Sequence, residues 1–282
     1  MKTASLPDYV RSVNQHYGRA DLLTAILAVL RATGRDPASI TTDDLAAVDQ
    51  FHIRGREATL ELARLAGIAR GAGVLDVGGG LGGPARTLAA ERGCHVTVLD
   101  LTEEYCRVGE ELTARTGLGQ RVVFRHGNAL QMPFEDQTFA VAWTQHTSMN
   151  VEDKEQLYRE IRRVLRPGGR LAMHEILGGT ATPMYFPVPW ARDPSVNFLR
   201  PAPAVRALIA GSGFEEVAWV DVSGASLGWF RQRVAAMQAA PAPSPLGLHL
   251  LLGSDFGPMF RNQVRNLEEN RIAVVQAVWL RP

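Results

Sequence analysis

Between Gly73 and Gly178, short apolar runs alternate with longer amphipathic stretches. The runs are "VLDV", "HVTVLD", "RVVFRHG", "FAVAWTQ" and "RLAMHEIL". Runs this short and this apolar belong in a parallel sheet with helices on both faces. The stretches between them carry helix punctuation. Pro84 stands in the first turn of "PARTLAAERG", where its missing N–H costs little. Thr102 is placed to cap "LTEEYCRVGEELTART", whose first turn holds two glutamates that suit the helix dipole. Pro167 and the two glycines after it are expected to stop a helix read over "VEDKEQLYREIRRVLRPGG". The expected class is α/β, with a doubly wound sheet.

Helical patterns flank this block. Leu22, Leu23, Ile26, Leu27 and Leu30 recur at helical spacing, Thr41 and Asp44 form a loose capping box, and "REATLELARLAGI" is amphipathic. After the fifth run come the loop "TPMYFPVPWARDPS", a helix at "APAVRALIAGSG" and a strand at "FEEVAWVDV". Next, "WFRQRVAAMQ" reads as a helix and "APAPSP" as a turn. A last helix carries Phe256, Met259, Phe260, Val264 and Leu267 on one stripe, with Ser254 placed to cap it; that stripe reads as packing against the sheet or a partner subunit. Residues 1–70 are therefore read as a helical lid, 71–222 as the core, 223–269 as a helical cap insert and 270–282 as a closing strand.

Charge is balanced, with 30 Lys+Arg against 29 Asp+Glu, so nothing marks a nucleic-acid backbone as a ligand. "MKTASLPDYV" has no apolar signal core, and no apolar run is long enough for a bilayer. Cys94 and Cys106 have neither disulfide-framework nor metal-ligand spacing. The expectation is a cytoplasmic monomer or homodimer without nucleic-acid, membrane or metal partners.

Five glycines fall among the seven residues after Val77. Bare backbone lets a ligand approach with no Cβ in the way. Gly78, Gly80 and Gly83 satisfy G-x-G-x-x-G and Asp100 ends the second strand, which admits a nicotinamide or flavin dinucleotide; a tight βα corner would use glycines too. Three details favour another ligand. The Asp76 carboxylate would face a pyrophosphate with like charge, but suits an amino group and a sulfonium. Asn128, in "HGNALQMPF", can pair with an adenine edge. "REIRRVLRPGGRLAM" places Arg-Pro-Gly-Gly directly before the fifth strand.

In this order and spacing, from about Val74 to Ile176, the motifs resemble those of class I S-adenosylmethionine-dependent methyltransferases. "VDQFHIRGREATLELA", "TQHTSMN" and "YFPVPWA" are similar to the branch holding sarcosine/dimethylglycine N-methyltransferases and related natural-product enzymes. The resemblance implies a Rossmann-like sheet of seven strands with an antiparallel last strand, "FEEVAWVDV" and "RIAVVQAVWL" forming the final pair. It implies S-adenosyl-L-methionine as cofactor, S-adenosyl-L-homocysteine as product and a small-molecule methyl acceptor. By resemblance, Gly78, Gly79 and Gly80 would lie beneath the cofactor and Asp76 would orient its amino-acid end. Asp100 would accept the ribose hydroxyls, Leu101 and Ala129 would flank adenine with Asn128 on its edge, and Gln145 would meet the methionyl part. The family often has Asp where this chain has Asn128; the amide keeps an acceptor.

His146 follows the fourth strand on the ligand side of such a sheet. It reads either as the catalytic residue, deprotonating or orienting the nucleophile, or as a hydrogen-bonded anchor of "QHTSMN". His174 and Glu175 point to opposite faces and read as buried hydrogen-bonding residues. Gln50 and His52 are expected to bring the lid over the cofactor. Tyr17, Met149, Asn150, Tyr185 and Trp190 are expected around the acceptor. The expected reaction is in-line methyl transfer, to nitrogen first, with oxygen and carbon open. A nicotinamide-dependent oxidoreductase and a module that binds the cofactor without turnover remain as other classes.

Overall fold

The structure is a computed structural model and describes residues 21–239 and 244–282, so Tyr17 lies outside the described residues. Seven strands form one sheet in the order β3-β2-β1-β4-β5-β7-β6. They are β1 Gly73–Val77, β2 His95–Asp100, β3 Val122–His126, β4 Phe139–Gln145, β5 Leu165–Gly178, β6 Glu215–Asp221 and β7 Ile272–Leu280. β1 to β5 pair in parallel. β7 slots between β5 and β6, antiparallel to both, as the resemblance implied. From β1 the order runs outward to β2 on one side and to β4 on the other, so the carboxyl ends of β1 and β4 flank the switch point where open sheets of this kind bind ligands.

Both faces are covered. On one, Leu75, Val77, Leu171 and Met173 pack against Leu157, Ile161 and Val164 of helix Lys154–Val164 (α6) and Val205 and Ile209 of helix Ala202–Gly211 (α7). On the other, Val74, Val96, Val98 and Trp143 pack against Leu62 of α3 (Gly55–Leu65) and Ala85 and Leu88 of α4 (Gly83–Arg92). Each fully buried leucine or isoleucine here is worth about 1.5–3 kcal/mol relative to exposure.

α6 ends at Val164, earlier than expected, and "LRPGG" already belongs to β5. Pro167 disfavours helical backbone in the residue before it. The guanidinium of Arg281 takes up the freed carbonyls, donating to Arg162 and Leu165, while Gly168 N–H donates to the Arg281 carbonyl at 2.8 Å.

A third layer lies over the carboxyl edge. α1 (Leu22–Ala32) and α2 (Thr42–Asp49) come from the N-terminal side, and α8 (Ser223–Ala239), α9 (His249–Leu252) and α10 (Phe256–Glu268) from the segment between β6 and β7. The capping box forms in full: Thr41 Oγ1 accepts from Asp44 N–H, and the Asp44 carboxylate accepts from Thr41 N–H. Ser254 does not cap α10, because Asp255 holds that position and no side-chain cap bond forms. Ile26, Leu30, Leu45 and Val48 join Leu81, Val108 and Leu112 of the core and Leu251 and Met259 of the later segment in one cluster.

This layer is fastened by a buried ion pair, Arg86 Nη2 to Asp49 Oδ2 at 2.9 Å, both side chains sealed from solvent. Arg86 also donates to Thr113 Oγ1 and the Leu81 carbonyl. Gly83 explains itself here, since a Cβ on it would stand 2.2 Å from the Asp49 carbonyl oxygen. Among the described residues no helix is long and apolar enough to cross a membrane.

Candidate active site

The carboxyl ends of β1, β2 and β4 open into a cavity of about 1340 Å³. Its polar end is built from strand ends. Asp76 of β1 is buried, its Oδ2 without a hydrogen-bond partner. Burial, then the nearby Asp100 charge, pushes its carboxyl up to about 8. Asp100 accepts from Gly80 N–H and Thr102 N–H, both at 2.8 Å, and burial raises its carboxyl too. Gly78 sits at φ +69°, and a Cβ there would meet the Thr147 side chain at 2.5 Å. Thr147 Oγ1 in turn donates to the Val77 carbonyl at 2.9 Å.

Gln145 closes this end from β4. Its Oε1 accepts from Trp143 Nε1 at 2.8 Å and Thr59 Oγ1 at 3.0 Å, leaving Nε2 buried and unpartnered. Because an indole N–H can only donate, it fixes which way the amide faces. Thr59 lies on α3, a contact that no sequence motif announced.

Three histidines meet beside Gln145. The rings of His146 and His174 stack with centroids 5.0 Å apart, and His52 stands edge-on, 6.1 and 5.9 Å from them. Burial lowers all three, His52 to about 4, His174 to about 3 and His146 well below its usual value. His174 Nε2 lies 3.0 Å from the Ile53 carbonyl, and His52 Nε2 lies 2.9 Å from that of Gly55. His146 takes φ +54°, uncommon for a residue with a side chain, and its Nε2 is buried without a partner. Among the described residues no group of three or more His, Cys, Asp or Glu is placed to hold a metal ion.

The loop that presents His146 is held by two buried charges. Glu175 accepts from the N–H groups of Thr147 and Ser148 and from Ser148 Oγ. Lys154 donates to the carbonyls of Ser148 and Val151. Burial raises the Glu175 carboxyl and lowers the Lys154 ammonium to about 8. His174 and Glu175 are both fully buried, as the strand alternation led one to expect of hydrogen-bonding residues.

Gln50, His52, Asp76, Gly78, Gly79, Gly80, Asp100, Leu101, Asn128, Ala129, Gln145, His146, Met149, Asn150 and Trp190 all line this cavity. Asn128 Oδ1 accepts from Leu130 N–H at 2.9 Å, which orients the amide and leaves its Nδ2 donor and a second lone pair for a ligand. Asn150 and Trp190 are tied together by Asn150 Nδ2 donating to the Trp190 carbonyl. Tyr185 is a correction: it is absent from the lining, its ring lies under Arg265 and Arg271, and both guanidiniums donate to its hydroxyl. The far wall comes from the segment read as a cap insert, but none of its lining residues was singled out as a site residue. Trp229, Phe230, Leu251, Leu252, Phe256 and Phe260 line it from α8, α9 and α10. The Phe256–Phe260 stripe was the available signal, but periodicity does not distinguish a packed face from a cavity wall.

Residues 75–173 match a family model described as a methyltransferase domain. Over 170 residues the chain is 34% identical to methyltransferase GfsG of Streptomyces halstedii, covering 60% of this chain and 59% of that protein. It thus spans less than two thirds of the curated relatives it matches. Among solved structures, geranyl diphosphate C-methyltransferase of Streptomyces coelicolor A3(2), in complex with S-adenosyl-L-homocysteine, superposes with TM-score 0.70 at 16% identity, over 99% of this chain and 100% of that one. The [4+2]-cyclase SpnF superposes with TM-score 0.66 at 23% identity, over 97% of each chain. At such identities the likeness concerns the fold alone, and one fold serves several chemistries. The methyltransferase-domain match thus falls on residues 75–173, within a chain that has the class I methyltransferase fold.

Proposed function

We propose that the protein transfers a methyl group from S-adenosyl-L-methionine to a small-molecule acceptor, in the cytoplasm. One observation carries the reading: an orphan acceptor, Asp76 Oδ2, and an orphan donor, Gln145 Nε2, occur on neighbouring strands at the same end of the cavity. Together they match the ammonium and carboxylate of an amino-acid moiety. Asp100 beside them suits a pair of ribose hydroxyls. A dinucleotide is disfavoured, because its pyrophosphate at the glycine turn would meet the buried Asp76, whose Oδ2 calls for a donor. When bound, S-adenosyl-L-methionine supplies an already activated methyl on a sulfonium.

The chain's own part is alignment and exclusion of water. Residues 43–57, 229–237 and 244–263 contribute the cover; on this reading residues 1–70 form a lid and 223–269 a cap insert, each closing on a core of 71–222 and 270–282. Leu101 and Ala129 would flank the base, with Asn128 Nδ2 donating to a ring nitrogen. His146, held neutral by burial, is the group placed to take a proton from the acceptor. The proton that the acceptor loses on methylation would then sit on the His146 imidazole, which would carry the positive charge.

Calorimetric titration with S-adenosyl-L-homocysteine and NADH, followed by labelled methyl transfer to an acceptor panel, tests the reading. Homocysteine-nucleoside binding together with labelled product supports it. Preferential NADH binding would overturn it, and tight nucleoside binding with no turnover on any acceptor would indicate a sensor instead. His146→Ala is expected to lower turnover more than nucleoside affinity.

A further inference from the structure

Resting on the methyl-transfer reading, we propose that the acceptor is a large, mainly apolar molecule without positive charge, held against the wall formed by α8, α9 and α10. Size is the first argument. Drug-sized ligands occupy sites of roughly 300–1,000 Å³, so a nucleoside at the polar end of a cavity of about 1340 Å³ leaves space for a second sizeable molecule. The character of that space is the second. Trp229, Leu251, Leu252, Phe256 and Phe260 present hydrocarbon and aromatic surface, and such walls bind in proportion to the apolar area they cover.

Charge is the third argument. Among the described residues five carboxylates line the cavity, namely Asp43, Asp49, Glu57, Asp76 and Asp100. Asp43 pairs with Arg56, Asp49 with Arg86 and Glu57 with Arg54. The two without a cationic partner, Asp76 and Asp100, both stand at the strand ends. Among the described residues none remains to receive an ammonium at the helical wall. An aromatic cage would be the alternative, but the Trp229 ring already carries the Arg233 guanidinium 4.8 Å from its centroid. Arg233, exposed on α8, has no carboxylate partner among the described residues, so it adds positive charge at the mouth beside this wall. A hydroxyl, an enol or a carboxylate on an apolar body is accepted there, whereas a small protonated amine is not.

The test uses the full chain and four probes by calorimetry, with and without saturating S-adenosyl-L-homocysteine: decanol, decanoate, decylamine and sarcosine. The expected ranking has decanol and decanoate at least tenfold tighter than decylammonium, with no measurable sarcosine binding. Arg233→Glu, on the exposed side of α8, is expected to shift the decanoate-to-decylammonium ratio at least fivefold toward the cation. Decylammonium or sarcosine binding most tightly to the nucleoside-loaded protein would overturn the acceptor assignment alone. A ratio unmoved by Arg233→Glu would overturn the charge argument. Failure of the nucleoside to bind, with decanol still first, would overturn the methyl-transfer reading and leave the ranking intact.

Discussion

The two ends of the cavity are made by different kinds of chain. At one end, Asp76, Asp100 and Gln145 project from parallel strands whose register is fixed by backbone hydrogen bonds, so each polar atom has a defined place. At the other, Trp229, Leu252 and Phe256 come from helices in a segment between two antiparallel strands. Helical walls of that kind can change shape without disturbing the sheet. The contrast teaches that the methyl-donor end and the acceptor end are under separate structural control. The same sheet can therefore serve many acceptors by exchanging the helical segment.

The largest blow to this arrangement is expected from Arg86→Met. It leaves Asp49 as an uncompensated buried charge, and destabilisation by about 3–5 kcal/mol in chemical denaturation is expected. A loss below 1 kcal/mol would mean that the lid is not fastened through this pair.

Acid comes next, because the histidines sit on the seam between the two ends. Burial holds His52 at about 4 and His174 at about 3, below the ordinary 6.5, so between those limits the unfolded chain binds more protons than the native one. Their stabilisation is intact above pH 6.5 and is lost as pH falls toward 4 and then 3. At pH 5 each is expected to cost about 2 kcal/mol. The raised carboxyls of Asp76, Asp100 and Glu175 act with the opposite sign, so the comparison is made with His174→Gln: its stability change from pH 7 to pH 5 should differ from that of the wild type by about 2 kcal/mol, read from urea midpoints.

Asp100→Ala should weaken S-adenosyl-L-homocysteine binding by about 1–3 kcal/mol while leaving decanol binding unchanged. Parallel losses in both would show that the two ends are coupled. The smallest effect is expected from Thr59→Val, which frees the Gln145 amide on one side. About 0.5–1.5 kcal/mol of nucleoside affinity should go, and Thr59→Ser should restore it.

The polar end was legible in the sequence because its chemistry follows from strand ends. A glycine run after an apolar strand and an acid at the end of the next one point to the carboxyl edge whatever the rest does. Asn128 lines the cavity, and the backbone N–H two residues on that orients its amide could not be read from spacing. Tyr185 looked like an acceptor aromatic, but two arginines that are distant in sequence cover it. Phe256 and Phe260 read as a packed stripe because amphipathicity records which side is apolar and not whether the opposite side is filled. The Glu175–Lys154 clasp on the His146 loop is a matter of tertiary placement, invisible to spacing.

The contact of Asp49 with Gly83 and Arg86 also makes α2 a strut: its foot bears on the glycine turn, while Leu45 and Val48 further along share a cluster with Leu251 and Leu252 of α9. The helical wall therefore leans on the same short helix that the glycine turn holds up.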